Sequence, residues 1–137
     1  MEPTGYTVEL TEIAAKVYHK ISREAQARLA AGDTTNAKVK QIRILDEVLD
    51  KIIPHAPFDP SRALSGSLSN IFRVKKGRLR VCYAGASRQR RIVVLFIADT
   101  PRKQGDRSDP YSVFEKLVRS GAFDEFFEDL GQPRRKR

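Results

Sequence analysis

The sequence predicts an α+β domain, a small and mainly antiparallel sheet packed against an N-terminal helical hairpin in the order β-α-α-β-β-β-α. Three observations carry this. Apolar residues recur at helical spacing over two stretches between residues 11 and 54. From residue 71 to 98 the pattern changes to strand-like runs. Gly32, Pro54, Gly77 and a proline- and glycine-bearing stretch over 55–70 punctuate the chain where direction must change.

Residues 6–10 alternate in a short β-prone run and read as the first strand. Thr11 is suited to cap a helix, with Glu12 in the first turn where the helix dipole favours a carboxylate. Ile13, Val17, Ile21, Ala25 and Leu29 then form one apolar stripe, and Gly32 stands where a terminating glycine is expected. Asp33 is expected to cap a second helix striped by Val39, Ile42, Leu45, Leu49 and Ile52, with Pro54 ending it. A connection of about two residues makes the pair an antiparallel hairpin. Residues 55–70, with Pro57, Pro60 and Gly66, read as a loop.

Strands over 71–75 and 78–83 flank a turn at Lys76-Gly77. After a polar turn at 85–89, residues 91–98 are almost wholly apolar, as in a strand covered on both faces and interior to its sheet. A polar loop over 102–110 precedes a short helix over 111–120, with Val113, Phe114, Leu117 and Val118, and a Phe-rich amphipathic turn or helix over 122–130. The chain thus reads as one domain, 1–131, followed by a basic tail, 132–137.

A chain of 137 residues is the size of one domain, and its 40% hydrophobic and 31% charged residues suit a globular protein. The longest apolar run, 92–98, is too short to span a bilayer, so no membrane association is expected. The first residues lack a basic leader and an apolar core segment, which points to a cytoplasmic protein. The single Cys82 excludes an internal disulfide and gives no sign of a metal cluster, and no cofactor is expected.

Charge is the most localised property. Residues 1–69 carry nine Lys/Arg against nine Asp/Glu, and residues 108–137 carry six of each. Residues 70–107 carry eleven basic residues against Asp99 and Asp106, so the net +9 is the eleven minus two of this stretch. A concentrated positive field implies a concentrated negative partner, of which a phosphate backbone is the commonest. Strand alternation puts Arg73 and Lys75 on one face, with Phe72 and Val74 on the other. Across the turn, Arg78, Arg80 and Cys82 share a face opposite Leu79, Val81 and Tyr83. With the apolar faces turned to the helices, Arg73, Lys75, Arg78 and Arg80 are expected to line one solvent-facing surface, within reach of Arg102 and Lys103. A solvated sheet face would explain a small patch; four cations without a carboxylate repel one another unless a polyanion binds.

The ordered set Leu64 and Gly66, Phe72-Arg73, Gly77, Arg80-Val81-Cys82-Tyr83, the apolar run 92–98 and Arg102-Lys103 resembles the RelE/ParE superfamily of bacterial toxins over roughly residues 6–120. The resemblance implies the toxin of a type II toxin–antitoxin pair, neutralised by a cognate antitoxin protein. The RelE branch cleaves mRNA in the ribosomal A site without a metal, whereas the ParE branch poisons DNA gyrase and tends to lack the cationic cluster.

Metal-free cleavage turns the RNA 2′-hydroxyl on its own phosphate, and needs a base, cations for the phosphorane and an acid for the departing 5′-oxygen. By the resemblance, Arg80 and Arg102 correspond to the family's phosphate-stabilising arginines, and Arg73 and Lys75 to its basic strand positions, where a Lys can act as base or orienter. Lys76, Arg78 and Lys103 are further RNA-binding candidates. Tyr111 is the candidate for the family's tyrosine, although its nine-position separation from Arg102 exceeds the family spacing and it directly precedes an apolar helix, so a core aromatic is the other reading. His19, His55 and Cys82 are expected to take no part. A translation-inhibiting, ribosome-dependent mRNA endonuclease is therefore the leading expectation; a gyrase poison and a non-catalytic RNA-binding module are the alternatives.

Overall fold

The computed structural model describes residues 5–100 and 109–132. Its first strand, β1 (Thr7–Leu10), leads through Thr11 into α1 (Glu12–Ala30). The Thr11 hydroxyl accepts the Ala14 N–H at 3.1 Å and donates to the Leu95 carbonyl at 2.8 Å, so the cap also ties the helix to the sheet. Gly32, at φ 82°, ends α1 as expected, its N–H and that of Asp33 closing on Leu29 and Arg28.

The second helix starts later than the sequence suggests. Asn36, not Asp33, caps α2 (Ala37–Glu47), accepting the Lys38 N–H, and Asp33 instead accepts a hydrogen bond from the Asn36 amide. The two helices still run antiparallel, joined by the Lys38–Glu24 ion pair and the Tyr18–Asp46 hydrogen bond. Nor does Pro54 stop the helix where expected. A π turn, Val48–Ile52, carries it into the single-turn α3 (Ile53–His55), with Pro54 buried inside it. The widened turn closes through Ile53 N–H to Val48 O and accommodates a residue that has no N–H to give.

The chain then crosses through two 3₁₀ turns, Pro60–Arg62 and Gly66–Leu68, into β2 (Phe72–Lys76), β3 (Leu79–Ala86) and β4 (Arg91–Ala98). The sheet order is β1-β4-β3-β2, antiparallel except for the parallel β1–β4 pair. The apolar strand is interior, as its composition requires. Between the pairs Cys82↔Phe96 and Tyr83↔Val94 the register shifts, which leaves Leu95 as an extra residue in β4. The bulge lets Val93, Leu95, Phe96 and Ala98 all serve one face of the sheet, while Ile92, Val94 and Ile97 serve the other.

Both faces are covered. The helical hairpin packs on the face bearing Val74, Leu79, Val81 and Tyr83. The opposite face, expected to be open, is roofed over β3 and β4 by α4 (Pro110–Arg119) and α5 (Asp124–Asp129), through Phe114, Val118, Phe123, Phe127 and Leu130. Cys82, Ala84, Val93 and Leu95 make that half of the face apolar, and the Phe-rich C-terminal helices bury it. Among the described residues the β2 side is less covered, with Arg73 half-buried and Lys75 exposed. Among the described residues no helix is long and apolar enough to cross a membrane.

Candidate nucleic-acid interface

The open edge of the second face is built by β2 and β3 and closed by the start of α4. A two-residue turn, Gly77-Arg78, joins the strands with Gly77 at φ 57°, and the register sets Arg73 opposite Cys82 and Lys75 opposite Arg80. Opposed residues of an antiparallel pair share a face, so Arg73, Lys75 and Arg80 lie together. Asp109 caps α4 by accepting the Ser112 N–H, and Pro110 fills the first helical position. That start fixes Tyr111 at the strand edge.

Two guanidiniums converge on the Tyr111 ring, Arg73 at 5.6 Å and Arg80 at 5.8 Å from its centroid, both within cation–π range. Arg73 Nη1 also donates to the Tyr111 hydroxyl at 2.7 Å. Tyr111 is half-buried and lies at the basic edge between Arg73 and Arg80.

Arg80 departs from expectation. It is only 5% exposed, covered rather than solvent-facing. Its Nη1 donates to the carbonyls of Thr100 at 3.0 Å and Arg78 at 3.4 Å, and its buried Nε has no hydrogen-bond partner among the described residues. Among the described residues neither Arg73 nor Arg80 has a carboxylate at ion-pair distance. A buried cation is costly unless an anion meets it, and the described residues offer Arg80 none.

The remaining candidates separate. Lys75 is exposed at the rim of the Arg73–Arg80 edge. Arg78 lies in the turn rather than in the strand, so it does not continue the Arg80 face. Lys76 pairs with Leu79 and, by alternation, points to the helical side. Both line a cleft of about 240 Å³ against α2, with Lys40, Gln41, Ile44, Leu79 and Asp99. Arg102 and Lys103 lie outside the described residues. His19 stacks edge-on against Tyr18, and His55 is exposed at the end of α3; neither belongs to this edge. Burial pushes the Cys82 thiol up to about 12 despite the nearby Arg73 charge, which leaves it a poor nucleophile. Among the described residues no group of three or more His, Cys, Asp or Glu could hold a metal ion.

Sequence reasoning did not single out the loop that flanks this edge. Leu64, Ser65 and Leu68 line a small cavity with Arg73 and Tyr111. Only the Leu64 and Gly66 spacing marked that segment, and it carried no chemical hint.

The architecture resembles that of known toxin–antitoxin structures. The toxin–antitoxin complex RelBE2 of Mycobacterium tuberculosis matches with a TM-score of 0.50 at 20% identity, covering 71% of this chain and 91% of that one. The intact RelBE complex of E. coli matches at 0.44 and 18% identity, covering 71% and 99%. The isolated E. coli RelE toxin matches at 0.45 and 17% identity, covering 84% and 97%. No curated protein matches the sequence. A family model does, over residues 7–134: that of the YhaV toxin, described as a toxin with endonuclease activity, of a toxin–antitoxin system. With nearly its whole length matched and a RelE-like fold, the chain belongs to the YhaV family of endonuclease toxins of toxin–antitoxin systems.

Proposed function

We propose that this toxin inhibits translation by cutting ribosome-bound mRNA without a metal, and that a cognate antitoxin neutralises it. The observation that carries the reading is the convergence of Arg73 and Arg80 on Tyr111, with no carboxylate to neutralise either cation among the described residues. The 2′-oxygen attacks the adjacent phosphorus, and the bond to the 5′-oxygen breaks. The products are a 2′,3′-cyclic phosphate and a 5′-hydroxyl. Arg73 meets the phosphate from the open side, and the buried Arg80 supplies a fixed charge beneath it; Arg102 is proposed as a third cation. Guanidiniums keep their protons, so proton transfer falls to Tyr111 and Lys75. Tyr111, acting as the phenolate beside the Arg73 guanidinium that donates to its oxygen, takes the 2′-hydroxyl proton and becomes the neutral phenol, and the Lys75 ammonium gives its proton to the departing 5′-oxygen.

Expressed without its antitoxin, the protein should arrest translation and fragment mRNA on programmed ribosomes. The Arg80→Ala/Arg102→Ala double variant should lose about 10²-fold or more in cutting and relieve the arrest, since preorganised charge is the main contribution at such a site. Continued arrest by the double variant would sink the reading. So would intact mRNA alongside inhibited DNA supercoiling, which is the outcome for a gyrase poison. Salt-sensitive RNA binding with no cutting would instead mark a binding module.

A further inference from the structure

On the helical side of the sheet, the N-terminal half of α2 faces the β2–β3 turn across the cleft of about 240 Å³. Its floor is aliphatic: Leu79 is buried there, and Ile44 on the α2 wall is left 38% exposed. Its rim is cationic, with Lys40, Lys76 and Arg78 all exposed. Among the described residues none of the three has a carboxylate at ion-pair distance. The first turn of α2 holds no acidic residue, so the positive end of its dipole adds to this rim.

Lys38 differs from the other cations. Its Nζ lies 2.9 Å from the Glu24 carboxylate of α1. It also lines a second hollow, of about 360 Å³, with Ala27 and Ala31 at the end of α1. The two hollows share Lys38, so a concave surface runs from the β2–β3 turn along α2 to the tip of the helical hairpin.

Single-stranded nucleic acid is bound by cations together with aromatic platforms on which bases stack. This cleft has no aromatic side chain in its lining, and the Asp99 carboxylate in its wall opposes a phosphate. An aliphatic floor ringed by cations has instead the anatomy of a protein interface, apolar at the centre and polar at the rim. The complementary surface presents aliphatic side chains flanked by Asp and Glu, as one face of an acidic amphipathic helix does. Lys76 alternates away from Lys75 along β2, so the cleft and the cationic edge occupy opposite faces of one β-ribbon. A segment seated in the cleft leaves Arg73, Arg80 and Tyr111 uncovered.

We infer that this cleft anchors the antitoxin. An acidic segment of the partner lies along α2, seats an aliphatic side chain between Ile44 and Leu79, and meets Lys40, Lys76 and Arg78 with its carboxylates. The inference rests on the antitoxin reading above and gives that partner a docking site separate from the RNA edge.

The test uses the full-length antitoxin encoded by the reading frame beside the toxin's. Its affinity is measured by biolayer interferometry for the full-length wild-type toxin, Lys40→Glu, Ile44→Asp and Arg43→Glu. Cutting of mRNA on programmed ribosomes is measured for each toxin alone. Arg43 is exposed on α2 outside the cleft, so its variant makes the same change of charge elsewhere. Ile44→Asp should weaken binding by about fiftyfold, through loss of an apolar anchor and gain of a like charge. Lys40→Glu, at an exposed helical position, should weaken it by about tenfold. Arg43→Glu should stay within about twofold of wild type. All three should cut mRNA at close to the wild-type rate, which also shows that they fold. Wild-type affinity in both cleft variants would overturn the docking site and leave the antitoxin reading standing. An equal loss in Arg43→Glu would overturn it too, by making the attraction a diffuse field. Slower cutting by Lys40→Glu with antitoxin affinity unchanged would give the cleft to RNA and overturn it as well. An antitoxin that does not bind the wild type would overturn both readings.

Discussion

A guanidinium that is 5% exposed, with one buried N–H that no described residue accepts, needs its neighbours to hold it. Arg80 is held by the Thr100 carbonyl and the Tyr111 ring, and by no carboxylate among the described residues. Strand alternation correctly put it beside Arg73 and Lys75. Its burial was not legible, because alternation says which face a side chain takes and not what covers that face. Cys82, two positions on, tests the cover. Its thiol is pushed up to about 12 by burial under the Phe-rich helices. Iodoacetamide at pH 8 should therefore label the unfolded chain and leave the native one unmodified, as read by mass spectrometry. A folded-state value above the unfolded one means the native thiol keeps its proton longer. The associated stability is complete below about pH 9 and is lost as pH rises toward 12. Rapid labelling of the native protein would mean that the C-terminal helices do not seal this face.

At the scale of elements, what the sequence shows best is what local chemistry decides. Thr11, Gly32 and the period of α1 act within a few residues, and each is where the pattern put it. The start of α2 went to Asn36 over Asp33, two acceptors of similar capping strength, and the choice between them lies in the longer connection. Pro54 misled because a π turn, which no residue pattern announces, absorbs it. The β4 bulge is equally silent in sequence, since a continuous apolar run carries no alternation from which to read a shift. Thr11 joins these elements: one hydroxyl caps α1 and satisfies the carbonyl of the bulged Leu95. Thr11→Val keeps the shape and loses both hydrogen bonds. It should lower unfolding free energy by about 2 kcal/mol, a cap plus a buried hydrogen bond. Thr11→Ser should stay close to wild type. Urea midpoints for the two variants check this, and equal losses would mean that the threonine methyl contributes as much as the two hydrogen bonds.

Across the whole molecule, the charge excess of 70–107 marks the proposed RNA-binding segment, yet the fold divides it. The sheet separates Arg73, Lys75 and Arg80 from Lys76 and Arg78, which face the cleft against α2. Arg91 is occupied by Glu9 across the parallel β1–β4 pair. Net charge is therefore a poor measure of how many cations would meet the proposed RNA substrate, and salt dependence is a better one. Each phosphate neutralised on a single strand contributes about 0.7 to the slope of log K against log salt. With a short RNA carrying a 2′-deoxy block at the cut position, Arg73→Ala and Lys75→Ala should each make the slope shallower by about 0.7. Lys76→Ala and Arg78→Ala should leave it unchanged, because the strand would have to turn around the sheet edge to reach them. Equal reductions from all four would mean that RNA wraps the β2–β3 turn and contacts both faces, so that the positive field acts as one surface after all.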